Sequence, residues 1–391
     1  MFDNFKLLKS TDVSYYLSLA VLAVLVISGY FAAHYMDVNG HWVTGMNNQV
    51  VWGLPHVFAI LLILAASGAL NVASISSVFG KADYKPWTRL SGLVAICMLV
   101  GGLLVLVLDL GRPERLIVAM THYNFKSIFA WNIFLYTGFA AVVVLYLWTM
   151  FEPAQNRHTG RAGLLAFCWR FVLTAGTGSI FGFIVAREMF DTAMMVPVFI
   201  VLSLVLGTAF FMLVVRALSC WSGESDQPGQ SWFGLGRLLG IFLALELFLV
   251  AAMHFTGLYA AEHQGVENFL LFSGGAITWI FWLGQVILGS LVPIYLLLRN
   301  AGQSVPRVTA AVLLAIFGGV CQLYVVIIGG QSYPQVLFPG KTVSSSFFDG
   351  EIGRYVPSLP EWSLGIGGLA LALFLVVMIA RILPFYPRVA D

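Results

Sequence analysis

Seven places along the chain put an ionisable side chain among apolar residues: His34, His56, Asp109, Arg170, the pair Arg187-Glu188, Glu246 and His254. Each such group costs roughly 2.5–3.5 kcal/mol to insert at membrane depth, so each marks a place to look for chemistry. His56 and Asp109 are the pair of most interest. An imidazole changes charge near neutral pH, and a carboxylate beside it takes the proton onward. That is the equipment a quinone site needs, together with an apolar slot for ring and tail and hydrogen-bond donors for the two carbonyl oxygens. Trp52, Tyr123 and Tyr136 are the aromatic neighbours available to build the slot. A plainer reading stays open beside this one. His56 follows Pro55 at a helix start and would then only satisfy loop groups, while Asp109 would pair with Arg112 or Arg115 to close its helix.

The remaining buried charges have two readings each. Glu246 lies in the middle of an apolar run and is either a stop on a proton path or a hydrogen-bonding tie to a neighbouring helix. Arg170 lies about two turns inside its helix, where snorkelling to the interface competes with pairing to Glu246. His254, near the end of the same helix as Glu246, joins them as a third candidate for the path. A haem is disfavoured by counting. Of seven histidines only His34, His56 and His254 fall in apolar runs, all towards the same ends, and no run carries two spaced to serve stacked haems. The four cysteines, Cys97, Cys168, Cys220 and Cys321, show no clustered thiolates, so the sequence predicts neither an iron–sulfur cluster nor a metal site in this chain. Cys97, Cys168 and Cys321 read as packing residues.

The elements that must position these groups are transmembrane helices. The chain has 391 residues, 60% hydrophobic and 10% charged, against about 25% charged in a soluble domain. Its net charge of +2 gives no sign of a nucleic-acid partner. Ten stretches reach the ~20 apolar residues that a span requires: 14–36, 54–79, 88–110, 127–151, 163–186, 193–218, 235–259, 269–298, 308–330 and 361–384. The first, about 22 residues after Lys6 and Lys9, is too long for a signal peptide and reads as a retained helix. Thirteen Lys and Arg fall on one side of this arrangement and six on the other, which places both termini in the cytoplasm. Three of the six belong to loop 111–126, against the bias. His56, Asp109, Arg187, Glu188 and His254 then share the outer face. Pro55 and Pro197, and Trp131 and Trp279, suggest a faint duplication. The expected organisation is therefore an N-terminal helix and outer loop (1–53), a first four-helix bundle (54–192), a second (193–331), and an outer loop with a C-terminal helix (332–391). The fold class is all-α and polytopic.

The run Asp109-Leu110-Gly111-Arg112-Pro113-Glu114-Arg115-Leu116 resembles the DLGRP motif of the NrfD/PsrC (polysulfide-reductase-type) membrane-subunit family. Trp52-Gly53-Leu54-Pro55-His56-Val57-Phe58 with Ala66-Ser67-Gly68, and Asn124-Phe125-Lys126-Ser127 with Ala130-Trp131-Asn132, match in order and spacing. The likeness is dense over about 50–140 and diffuse beyond. Ten helices resemble the branch found in Dsr-type sulfur-metabolism complexes and alternative complex III.

The resemblance implies a quinone-interacting subunit of a respiratory oxidoreductase complex in the cytoplasmic (inner) membrane. It implies bound menaquinone or ubiquinone as substrate and no haem. It also implies a ferredoxin-like iron–sulfur partner on the outer, periplasmic face, with further catalytic or cytochrome subunits. His56 would sit beside the quinone, and Asp109 would be the acidic member of the motif. Arg112, Glu114 and Arg115 would order the loop or dock the partner, and proton translocation would engage the bundle interior. Two rival classes are a secondary transporter and a purely structural anchor; transporters place broken helices at mid-membrane, whereas here the polar groups gather at one face.

Overall fold

The computed structural model describes residues 5–8, 12–222, 229–299, 304–335 and 350–387. Residues 336–349 of the expected outer loop, and Lys9, Lys341 and Arg388 of the charge count, lie outside the described residues. Among the described residues ten helices are long and apolar enough to cross a membrane. They are α1 Val13–Asn39, α2 Leu54–Ser77, α3 Ala82–Leu108, α4 Ile128–Phe151, α5 Pro153–Gly182, α6 Met195–Trp221, α7 Gln230–Tyr259, α8 Ala276–Leu298, α9 Val305–Ser332 and α10 Leu359–Ile382. Both described ends meet: Phe5–Lys6 pairs antiparallel with Tyr386–Pro387, which an even number of spans allows by bringing both to one end of the bundle.

The helices touch in two closed rings. In the first, α2 packs on α3, α3 on α4, α4 on α5, and α5 back on α2; in the second the same order runs α6, α7, α8, α9 and back to α6. α2 and α6 are apolar on every side, the pattern of a helix buried all round, and they form the seam between the rings. They cross at Gly68 and Gly207, where a Cβ on either glycine would enter the other backbone. Close backbone approach at small residues is the usual route to helix association in lipid. α1 and α10 pack against each other, and α10 adds itself to α2 and α3.

The largest departures from the expected bounds are in α5 and α8. α5 starts ten residues earlier than 163, because Pro153–His158 winds into a 3-10 turn that leads into the helix despite its polar residues. The eighth run, read as continuous from 269, is broken. Gln264–Asn268 and Phe269–Ser273 form a separate short helix, and α8 begins only after Gly275, whose φ of 60° no helix accommodates. The Thr278 hydroxyl accepts from the Gly274 N–H and closes that break. Cys168 is exposed, not a packing residue, whereas Cys97 and Cys321 are buried.

Candidate functional site

His56 enters the site from the first turn of α2. Gly53 is the N-cap and Pro55 occupies the first turn, where its missing N–H costs nothing. Asp109 caps the C-terminus of α3, and its own N–H still reaches the Val105 carbonyl. The residues Gly111, Arg112 and Pro113 then end the helix, and a short 3-10 turn begins at Pro113. A carboxylate at a helix C-terminus faces the negative end of the helix dipole and needs a cation or a proton to be tolerated. The fold supplies an imidazole: His56 Nδ1 stands 2.8 Å from Asp109 Oδ2.

The pair is graded by depth. The Asp109 side chain is 1% exposed and that of His56 is 18% exposed, so the imidazole is the accessible member. A second imidazole, His41, completes the group. It lies in the short 3-10 turn His41–Val43 after α1. Its Nε2 is 3.0 Å from the Asp109 carbonyl and 3.9 Å from Asp109 Oδ1. Neither carboxylate oxygen has an aligned hydrogen-bond donor, although both are buried. This excludes the plainer reading of Asp109: its ion partners among the described residues are histidines, and Arg112, Glu114 and Arg115 are exposed at the start of loop 111–127.

An aromatic wall stands over the pair. Trp52 stacks on His56 with ring centroids 6.2 Å apart and planes at 29°. It also stacks on Phe190 at 6.3 Å and 27°, and Phe181 meets it edge-on at 5.5 Å. Phe129 of α4 is a further neighbour at 5.9 Å. The wall is held from the second ring. A π-helical turn at Val325–Gly329 displaces the last turn of α9, and Gln331 follows it. Its Oε1 accepts from the N–H groups of Val51 and Trp52, each at 3.0 Å, and its Nε2 donates to the Trp52 carbonyl at 3.0 Å. Arg187 fastens the same junction. Its two Nη atoms donate to the carbonyls of Gln331 and Gln49, both at 2.7 Å, and burial lowers its guanidinium from the usual range. Next to it, burial pushes the Glu188 carboxyl up while the His263 imidazole opposes the shift.

The other expected site residues are dispersed. Tyr136 is buried deeper and hydrogen-bonds Thr177 of α5. Tyr123 packs on Phe134 at 4.5 Å, in the hairpin before α4. Neither shares a ring contact or hydrogen bond with His56 or Asp109 among the described residues. Arg170 neither snorkels nor pairs with Glu246. Because α5 starts early, Arg170 lies mid-helix at 2% exposure. It donates to Asn71 Oδ1 at 3.3 Å and rests on the ring of Phe171 at 4.3 Å. Glu246, buried in α7, hydrogen-bonds Gln322 of α9 instead. His254 pairs with Glu267 at 2.6 Å. His41 was placed by sequence only among the polar residues of outer loop 37–53, and Phe181, Phe190 and Gln331 were not singled out, since an aromatic residue or a glutamine at a helix end carries no signal of its own.

The arrangement is an accessible imidazole, backed by a buried carboxylate and covered by flat apolar rings, at one end of a helical ring. It can pass a proton to or from a planar apolar molecule. Comparison with known proteins places it in a class. The family described as polysulphide reductase, NrfD matches residues 42–335, a span that contains all but the first of the residues described above, His41. The chain belongs to that family, and it is a multi-pass integral membrane protein. It is 28% identical to the Hdr-like menaquinol oxidoreductase integral membrane subunit of Archaeoglobus fulgidus, over 98% of this chain and 97% of the relative. It is 23% identical to the menaquinone reductase integral membrane subunit of Nitratidesulfovibrio vulgaris, over 93% of this chain and 90% of the relative. It is 26% identical to protein NrfD of Escherichia coli, over 72% of this chain and 96% of the relative.

Proposed function

We propose that the chain is the quinone-facing membrane subunit of a multi-subunit oxidoreductase, with its quinone headgroup site at His56 and Asp109. The observation that carries this is the 2.8 Å contact between the partly exposed His56 and the buried Asp109, under the Trp52 ring. The names of two full-length relatives carry menaquinol or menaquinone, which favours a naphthoquinone as substrate.

In this reading His56 exchanges a proton with a quinol hydroxyl through the imidazole nitrogen that faces away from Asp109. Asp109 fixes the ring and stabilises its charged form. His41 serves as a relay between the Asp109 end and the adjoining loop. Oxidation of one quinol releases two electrons and two protons; the electrons pass to the iron–sulfur clusters of a ferredoxin-like partner. That partner docks on the outer, periplasmic face over loop 111–127, where Arg112, Glu114, Arg115 and the apolar Ile117, Val118 and Phe125 are exposed. Both termini then lie in the cytoplasm. In this reading the chain works as two halves, bundles 54–192 and 193–331.

Proton translocation through the interior remains part of this proposal, with a geometry different from the one expected from sequence. Arg170 belongs to a column in the first ring, in which Ser67 bonds the Thr174 hydroxyl and the Arg170 carbonyl, each at 3.0 Å. Glu246 and His254 share a stripe of α7 in the second ring. Photolabelling with an azido-naphthoquinone tests the site. Label within 49–58 or 181–190, suppressed by excess quinone, supports it; label confined to the membrane-facing surface of α1 and α10 rejects it.

A further inference from the structure

A second buried imidazole–carboxylate pair stands in the other ring, and the site at His56 does not use it. His254 Nδ1 is 2.6 Å from Glu267 Oε2, with side chains 6% and 5% exposed. Phe281 meets the His254 ring edge-on at 4.9 Å and fixes its plane. Glu267 is pressed against Gly257, where an added Cβ would strike its carboxylate. The pair is therefore packed from both ends, by Phe281 on the imidazole and Gly257 on the carboxylate. It also occupies a matching position: α3 and α7 hold the same place in their rings, and Asp109 and His254 stand near the C-terminal end of each.

Glu267 lines a cavity of about 370 Å³ between the end of α7 and segment 188–194. Small-molecule sites typically fall in the range of roughly 300–1,000 Å³. Met189, Met194 and Met253 form much of the apolar wall, and thioethers adapt well to a flat aromatic ring. The polar lining is rich in acceptors: the carboxyl groups of Glu188, Asp191 and Glu267, with His263 as the one imidazole and two hydroxyls, Thr192 and Thr256, the latter already donating to the Ala252 carbonyl. A ligand matched to this lining brings its own donors. A hydroquinone has two O–H groups, whereas a quinone has acceptors only. A hard cation would call for a shell of oxygens and not for thioethers. One turn separates this cavity from the first site: Phe190 stacks on Trp52, while Glu188 and Met189 line the cavity.

We propose that this cavity is a second headgroup site, selective for the reduced, hydroquinone form of the carrier, with Glu267 as the hydrogen-bond acceptor and His254 as its positioning residue. The choice of ligand rests on the reading of the chain as a quinone-linked subunit. Binding stoichiometry tests it. The full chain is placed in quinone-free nanodiscs and titrated with a short-chain naphthohydroquinone kept reduced, for wild type, Ala193→Phe, Ala260→Trp, Glu267→Gln and His56→Ala. Ala193 and Ala260 line the cavity from two different walls, so either filling variant serves if the other fails to fold, as judged by its melting curve. The proposal expects two molecules bound per chain, one in each filling variant, and one in His56→Ala. Glu267→Gln should weaken one of the two sites by about tenfold, the cost of a lost charge-assisted hydrogen bond. Unchanged stoichiometry in both filling variants, with both affinities unchanged in Glu267→Gln, overturns it. If a single molecule binds and only His56→Ala removes it, the second site fails and the first survives. If only the filling variants remove it, the first site fails and the second stands.

Discussion

Gln331 grips Trp52 by both main-chain groups, accepting from its N–H and donating to its carbonyl, each at 3.0 Å. The grip runs from the last turn of one ring to the loop that opens the other. It fixes the indole that stacks on His56. Gln331→Leu removes it and takes this partner from four main-chain groups, those of Val51 and Trp52, which are partly buried, and that of Ile327, which is buried. An unsatisfied buried group costs about 1–3 kcal/mol. The expected outcome is a fall of several degrees in melting temperature and a quinone KM raised by about tenfold. Gln331→Glu retains an acceptor for two of the groups and should be milder in both measurements.

Asp109→Asn keeps the shape of the site and removes its charge. General acid–base groups contribute about 10²–10⁴ in rate, so quinone-linked turnover should fall by ~100-fold with the chain still assembled in the membrane. His41, at 3.9 Å from the carboxylate, acts at one remove; His41→Gln should cost about tenfold or less. Steady-state quinol oxidation by the intact complex measures both.

The crossing of Gly68 and Gly207 has no room for a side chain. Gly207→Val should prevent the two rings from packing, and the chain should fail to accumulate as a monodisperse species in detergent. Gly160, which has nothing near its Cβ position, is the control: Gly160→Ala should leave the elution profile unchanged.

Glu188 gives a prediction in pH. Burial raises its carboxyl in the folded state, against the usual value in the unfolded chain. A carboxyl shifted in that direction destabilises the fold as pH rises through the usual value towards the raised one. Glu188→Gln lacks this term. The difference in melting temperature between variant and wild type should be close to nil at pH 4 and favour the variant at pH 8. A difference that is the same at both values would show that burial does not govern this group.

Glu246→Gln separates electron from proton movement. The residue makes no contact with the quinone site and hydrogen-bonds Gln322. Turnover in detergent should stay within about twofold of wild type, while proton release per electron in proteoliposomes should fall, followed with a pH-sensitive dye.

The ten spans were legible because long apolar runs have one solution in lipid, and the starts of α2, α4 and α6 lie within a few residues of expectation. The pairing of His56 with Asp109 was legible as a shared membrane end, since two antiparallel spans bring the start of one beside the finish of the next. Local geometry was not. The break before α8 depends on the positive φ of Gly275, which a run of apolar residues conceals. The early start of α5 moved Arg170 deeper and replaced a snorkelling cation with one buried on Phe171. Gln331 reaches Trp52 across 279 residues of sequence, and no periodicity encodes such a contact. Tyr123 and Tyr136 lie on the expected elements but face other neighbours, because a face, unlike a depth, is set by packing.

The central claim is that His56 exchanges protons with a membrane quinone. Its most direct test is quinone-linked turnover of the purified complex carrying His56→Ala, with partner content checked by iron and sulfide analysis. The account predicts full assembly and turnover reduced by ~100-fold. Full assembly with turnover within about twofold of wild type would contradict it, and would make this chain an anchor whose quinone chemistry lies elsewhere.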